Sequence, residues 1–460
     1  MNEFLFHYHR VHPTTWAYLS SLMAIAVYFK FSRMWSVRNL DILGLILLAP
    51  GLLLVKYGET TGAADVEQAG YIWLFATAGF FLVRMLVDPM MVRRPLLEPN
   101  MSVGGLTFVA ASLLLFLMAN VLTSTLTEGD LAGSKMAQQL RTRQEVHVER
   151  NSLASRGPGY PPLFVLPQLI TQKIVGEPGF DEPEKALGSH SPQTGSGPTR
   201  VHVVTTRAVA ILSHLAVVIG MMVIGYRHFD NIKTGVAAAT MYLLLPYTAQ
   251  FTGRVDHVLP AGLLIWAIAT YRRPLLSGMF MGLAIGVVYY PAFLLPLWIG
   301  FYWQRGFVRF VAGVVITVAV LVGILAMTAA DPGVFLDQIK QMFGWRMPLM
   351  KNPQGFWQFE PALRMYRIPV MAAFFALCGS LAIWPAQKNL GTLIGCSAAV
   401  MLASQFWHAH GGGLFMAWYL PLLIMTIFRP NLEDRVALSV LGEGWFPGRH
   451  HKRSGIEQAA

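Results

Sequence analysis

Thr127-Glu128-Gly129-Asp130 follows directly on a long apolar segment. A carboxylate at a membrane surface, beside a cavity that admits a lipid-linked substrate, can take a proton from an acceptor hydroxyl. It can also hold a divalent cation that neutralises a phosphate, or simply solvate a helix end. Arg254 and Asp256 bracket a tight turn, with His257 adjoining. Charges between apolar segments are costly unless paired or functional. The turn is therefore either an Arg–Asp bridge tying two helices or a site in which His257 binds phosphate or orients a neighbour. His408 and His410 precede three glycines, which let a substrate approach the backbone or form a plain loop. Two histidines at this spacing diverge by about 200° on a helix. Even with His7, His9 and His12 nearby in the same topological class, no metal ligands are assigned. Arg364 lies with Arg346, Lys351 and Arg367 among Trp345, Phe356, Trp357, Phe359 and Tyr366. Such a mixture suits phosphate head groups or plain interfacial anchoring. In Tyr160-Pro161-Pro162 the prolines start a helix and the amphipathic ring suits an interface, so the motif shapes a site rather than reacting.

The elements that must position these residues are apolar. The chain is 54% hydrophobic and 13% charged over 460 residues, with mean hydropathy +0.48. Soluble domains carry about 25% charged residues, so the composition points to a bilayer and an all-α polytopic fold. Runs near the roughly 20 residues needed to span fall at about 14–31, 40–57, 70–88, 103–125, 202–226, 234–251, 256–271, 275–289, 291–304, 308–329, 367–384, 389–407 and 413–428. These make about thirteen spans, or twelve if two of the shorter ones merge. The polar start through Pro13 leads into the first span and does not resemble a cleaved signal peptide. Cys378 and Cys396 lie in separate apolar runs and imply no disulfide framework.

The net charge of +11 is distributed in short clusters. Lys30, Arg33 and Arg38 separate the first two spans; Arg93 and Arg94, Arg227 and Lys233, Arg272 and Arg273, Arg305 and Arg309, and Lys388 follow later ones. All fall on one side with the basic tail when the N-terminus is outside and the C-terminus cytoplasmic, the pattern of positive-inside anchoring in a plasma (bacterial inner) membrane rather than of nucleic-acid binding. The loops holding Glu59, Asp65 and Glu67, residues 126–201, 252–257, 330–366 and 408–413 then share the outer face. This parity requires Leu163–Val175 to be re-entrant or interfacial rather than a full crossing. The stretch from Glu177 to Thr199, rich in Gly, Pro and Ser, reads as a flexible excursion.

No phosphate-binding Walker loop, dinucleotide fingerprint, nucleophile elbow or His-Glu-x-x-His pattern is present. The cytoplasmic loops are too short to hold a nucleotide-binding domain. No internal repeat is evident, which argues against an inverted-repeat transporter.

The order of features over residues 103–428 resembles the GT-C superfamily of integral membrane glycosyltransferases, particularly glycosyltransferase family 87 and mannosyltransferase-like proteins. The residues carrying the resemblance are the acidic exit Glu128-Gly129-Asp130, the loop ending Tyr160-Pro161-Pro162-Leu163-Phe164, the Arg207-led span, Arg254-x-Asp256, and the run Leu276 to Ala284. It departs from the family pattern in having Glu128 and Asp130 one residue apart instead of a paired acid, and Tyr289-Tyr290-Pro291 where a Lys often precedes the Pro. Residues 1–102 would be an added three-helix segment, 103–428 the catalytic domain, and 429–460 a cytoplasmic tail. The resemblance implies a sugar passed from a polyprenyl-phosphate donor to a glycan, lipid or protein acceptor on the non-cytoplasmic face. Asp130 would be the base. Glu128, Tyr160, Arg254, Asp256, His257, Arg364, His408 and His410 are the candidate substrate contacts, with a divalent cation optional. Two alternatives stay open: a transporter or flippase, for which Arg84 is the main intramembrane charge, and a catalytically silent assembly subunit.

Overall fold

The computed structural model describes residues 11–91, 97–142, 156–175, 200–329, 331–342, 353–359 and 361–441. Among these the chain is helical, with isolated bridges at Gln354–His410 and Asn389–Val436. Helices satisfy every backbone amide within one segment, which is what apolar surroundings demand. Among the described residues seven helices are long and apolar enough to cross a membrane: α2 (Val37–Thr61), α3 (Ala64–Val87), α4 (Val103–Thr123), α7 (Arg200–Arg227), α13 (Phe307–Thr328), α15 (Arg367–Ile383) and α16 (Leu390–Trp407). Large apolar side chains face outward on several of them, among them Phe108, Leu115, Val308 and Ile383. Exposed surface of this kind is stable against lipid and costly against water. In contrast, α16 is enclosed by protein on all sides. It packs against α3, α15 and the helices Leu295–Tyr302 and Leu420–Phe428.

The remaining segments are shorter. They include α1 (Pro13–Tyr28), α8 (Ile232–Leu244), α9 (Pro246–Gln250), α10 (Val255–Ala269), α11 (Pro274–Val287), α12 (Leu295–Tyr302), α14 (Pro332–Met342) and α17 (Leu420–Phe428). Pro246 breaks the run expected at 234–251 into α8 and α9, because it cannot supply the amide that would continue α8. With 14 residues, α11 rises about 21 Å, short of a hydrocarbon core of about 30 Å. Its end is met by chain descending from the long loop. Gly157 N donates to Val287 O and Gly159 N to Gly286 O, each at 2.7 Å. Carbonyls left open at the end of α11 are thereby satisfied. A Cβ on Gly157 would run into the Gly286 carbonyl, so this docking demands glycine.

The long loop itself folds in part. α5 (Glu128–Thr142) and α6 (Tyr160–Val175) pair, with Tyr160 and Phe164 fully buried against Gly133. Pro161 and Pro162 occupy the first turn of α6, where no amide is needed. Leu166, Ile170 and Ile174 form an outward apolar stripe on α6. The stretch 177–199 lies outside the described residues.

At the opposite end of the bundle, buried charges hold the N-terminal and C-terminal parts together. Arg84 donates to Asp41 at 3.0 and 3.1 Å and to Asp88 at 2.8 Å. Arg429 donates to Asp88 at 2.6 Å. Arg84, the charge a transport pathway would have needed, is thus committed to two carboxylates near the end of α3.

Candidate functional site

Helix ends converge on one cavity of about 910 Å³. Its lining includes the start of α1, the end of α2 and first turns of α3, the α4–α5 connection, Arg156, the α9–α10 turn, residues 354–358, and His410 to Phe415. Loops 126–201, 252–257, 330–366 and 408–413, spread along residues 126–413, therefore share one chamber. A narrow crevice of about 20 Å³ between α1, α2, α4 and α9, lined by Leu53, Trp16, Phe116 and Ala249, adjoins it through Val11, Pro13 and Gln250.

Asp130 sits in the first turn of α5, 8% exposed, where the helix dipole favours a negative charge. Thr127 donates to its Oδ2 twice, from the backbone N at 2.9 Å and from Oγ1 at 2.7 Å. Oδ1 faces Arg254 Nε at 3.3 Å. Arg254 simultaneously grips Asp256 from Nε and Nη2, both at 3.3 Å. One guanidinium thus bridges two carboxylates from different helices, and the Asp256 charge raises its pKa above the ordinary arginine value. Asp256 also lies 3.8 Å from Arg156, while its backbone carbonyl accepts from Trp418 Nε1 at 3.1 Å.

Arg156 and His257, both in the wall, have nitrogens without partners among the described residues. Arg156 is 4% exposed; its Nη2 donates to Gly129 O at 2.7 Å and its guanidinium lies over the Tyr160 ring. Its Nε and Nη1 have no partner among the described residues. His257 is 2% exposed, and its Nδ1 lies 2.6 Å from the Tyr247 hydroxyl. In the tautomer in which Tyr247 donates to Nδ1, the His257 proton sits on Nε2, which has no partner among the described residues either. Each buried, unsatisfied donor costs about 1–3 kcal/mol. Three of them on residues lining one cavity make a cradle suited to an anion.

Other groups hold this arrangement. Arg207 of α7 donates to Ser124 O at 3.2 Å, fixing the α4–α5 exit. His214 of the same helix contacts Thr252 O at 3.0 Å and the Tyr242 hydroxyl at 3.2 Å, fixing the α9–α10 turn.

Five of the residues singled out from the sequence line the cavity: Asp130, Arg254, Asp256, His257 and His410. The other four do not. Glu128 is exposed and pairs with Lys135. Two residues apart on a helix, it cannot share a direction with Asp130. Tyr160 is buried beneath Arg156 and supports the wall from behind. Arg364 donates to Trp357 O and Gln358 O, each at 3.3 Å, and so pins a turn from outside. His408 is enclosed by Tyr290, Phe415 and Trp418 and accepts from His410 N at 3.1 Å. Burial pushes its pKa down to about 3, and burial also lowers that of His410. Arg346 and Lys351, with His7 and His9, lie outside the described residues. Sequence reasoning passed over Arg156 and His214, and used Arg207 only to mark the start of a span. The signal for Arg156 was a lone cation abutting Gly157-Pro158-Gly159.

The described residues assemble no group of three or more His, Cys, Asp or Glu that could hold a metal ion. Asp130 and Asp256 face guanidinium groups rather than each other. The arrangement does not fit the optional divalent cation, and no chemistry is routed through one.

No protein-family model, curated protein or solved structure matches the chain.

Proposed function

We propose that the chain is a membrane glycosyltransferase of GT-C type, moving a sugar from a polyprenyl-phosphate donor to an acceptor hydroxyl on the non-cytoplasmic face. The observation that carries this reading is the anion cradle of Arg156 and His257 beside the buried carboxylate Asp130, in one chamber at the end of an apolar helix bundle. In this reading the shorter helices complete a thirteen-span arrangement with the cavity end outside. The adjoining crevice between α1, α2, α4 and α9 marks where the donor's apolar tail leaves the chamber.

The chemistry is an inverting displacement. Asp130 takes the acceptor proton as the hydroxyl oxygen attacks the anomeric carbon, and the bond from that carbon to the phosphate oxygen breaks with its electrons going to the phosphate. Arg156 and the His257 Nε2–H stabilise the charge that develops there. Arg254 has a second task. A phosphate entering the cradle competes with Asp130 for the guanidinium, which leaves Oδ1 free to face the acceptor hydroxyl.

The test is transfer from polyprenyl-phosphate sugars by purified protein. Asp130→Asn keeps the acceptor atom that Thr127 requires, so the protein stays folded while transfer falls by about 10²–10⁴-fold. Equal turnover by wild type and variant would remove Asp130 as the base.

A further inference from the structure

One wall of the chamber comes from outside the region resembling the transferases. The α2–α3 hairpin contributes Glu59, Glu67 and Tyr71, and the strap 354–358 lies across it. Gln358 Nε2 donates to Glu67 Oε1 at 3.1 Å. The strap is fixed from both sides: Gln354 N donates to Ala409 O at 2.8 Å, Gly411 N donates to Gln354 O at 3.2 Å, and Trp357 Nε1 donates to Phe406 O at 3.1 Å. Gly355 has a φ of +79° and passes so close that a Cβ would stand 3.2 Å from the Tyr71 ring and 3.0 Å from Gly411 Cα. Only glycine fits this crossing well.

The chemistry of this wall differs from that of the cradle. Lys56 already pairs with Glu59 at 3.4 Å. The wall therefore offers one uncompensated carboxylate, Glu67, together with neutral hydrogen-bonding groups from Gln354, Gln358 and Tyr71. Tyr71 is 3% exposed yet lines the chamber, and no hydrogen bond engages its hydroxyl among the described residues. A buried phenol with an open hydroxyl, beside a carboxylate oriented by a carboxamide, presents alternating acceptors and donors with an aromatic edge. That combination matches vicinal hydroxyls on a sugar ring better than it matches a cation or an anion.

We infer that Glu67, Tyr71 and Gln358 form a carbohydrate subsite, built by the added N-terminal hairpin and facing the same chamber as the anion cradle. The inference rests on the glycosyltransferase reading for its place in a reaction, but its test does not. The ring can belong to the acceptor or to the phosphate-bearing donor.

The experiment is ligand titration of the full-length protein, purified in a non-glycosidic detergent, with methyl glycosides of glucose, galactose and mannose, followed by saturation-transfer NMR. At least one glycoside binds. Glu67→Gln, which keeps an acceptor for Gln358, weakens it about tenfold, and Tyr71→Phe weakens it about fivefold. Inorganic phosphate binding instead falls with Arg156→Ala. A hexose 1-phosphate distinguishes the sources. Loss in both Glu67→Gln and Arg156→Ala assigns the ring to the donor, whereas loss in Arg156→Ala alone assigns it to the acceptor. The inference is overturned if no glycoside binds the wild type, or if binding is unchanged in both Glu67→Gln and Tyr71→Phe. Glycoside binding that depends on Glu67 in a protein without transfer activity would retain the subsite and reject the transferase. Asp130-dependent transfer with glycoside binding unchanged in both Glu67→Gln and Tyr71→Phe would do the reverse.

Discussion

Replacing Arg156 with alanine separates a phosphate-binding role from a structural one. Two of its nitrogens, Nε and Nη1, are buried without acceptors, and the third holds Gly129 O at the start of α5. A hydrogen bond from a charged donor contributes about 1.5–3 kcal/mol. If both open nitrogens engage the leaving phosphate, the alanine variant loses about 3–6 kcal/mol of transition-state stabilisation. At about 1.4 kcal/mol per factor of ten, that is a drop of about 10²–10⁴ in kcat/KM. The same change removes the bond to Gly129 and the stacking over Tyr160, 5.0 Å from its ring centre, costing a further 2–4 kcal/mol or so of stability. Arg156→Lys divides the two effects, because it retains the charge but not the planar fork. It is expected to fall between wild type and alanine in transfer. The independent readout is thermal protection by inorganic phosphate, which raises the unfolding midpoint of the wild type and leaves that of Arg156→Ala unchanged. Transfer by Arg156→Ala within threefold of wild type, or equal protection by phosphate, would refute the cradle.

Two further outcomes are expected. Asp88→Asn strips the charge from a buried carboxylate, 1% exposed, that Arg84 and Arg429 both approach. Leaving two buried guanidinium groups undercompensated destabilises the bundle by about 3–5 kcal/mol, measured by unfolding in mixed micelles. A loss below about 1 kcal/mol would show that the network does not hold the two halves together. For orientation, cysteines introduced at exposed Thr125, at the cavity end, and exposed Ser439, at the opposite end, are compared on intact cells. Native Cys378 and Cys396 are buried and give little background. An impermeant maleimide labels Thr125→Cys directly and Ser439→Cys only after permeabilisation; the reverse pattern would invert the proposed topology.

Hydropathy and the alternation of basic loops were enough to indicate a helical membrane protein, because lipid leaves a chain few ways to satisfy its backbone. Loop parity also pointed toward the grouping of Asp130, Arg254, Asp256, His257 and His410, since helix ends on one face of a bundle have little room to diverge. What it could not resolve was direction within each element. Glu128 and Asp130 are chemically equivalent in the sequence, yet the helical turn sends one to solvent and the other into the chamber. The same limit separates His408 from His410, where a turn after α16 drives one ring into an aromatic cluster. Arg364 failed for another reason: a cation among aromatics suits carbonyl oxygens as well as phosphate, and neighbouring backbone claimed it first. Arg156 carried only the signal of a lone cation before Gly157, because its importance lies in what it lacks. An unsatisfied donor appears only after every neighbouring acceptor has been placed. The backbone docking of Gly157 and Gly159 on α11, which sets that placement, is between segments over 120 residues apart. Site residues defined by residue type and loop membership are therefore legible early, whereas those defined by an unfilled valence require the packed structure. Arg156, His257 Nε2 and the Tyr71 hydroxyl belong to the second kind, and their place in the lining of one chamber is what favours a binding site over a set of polar helix ends.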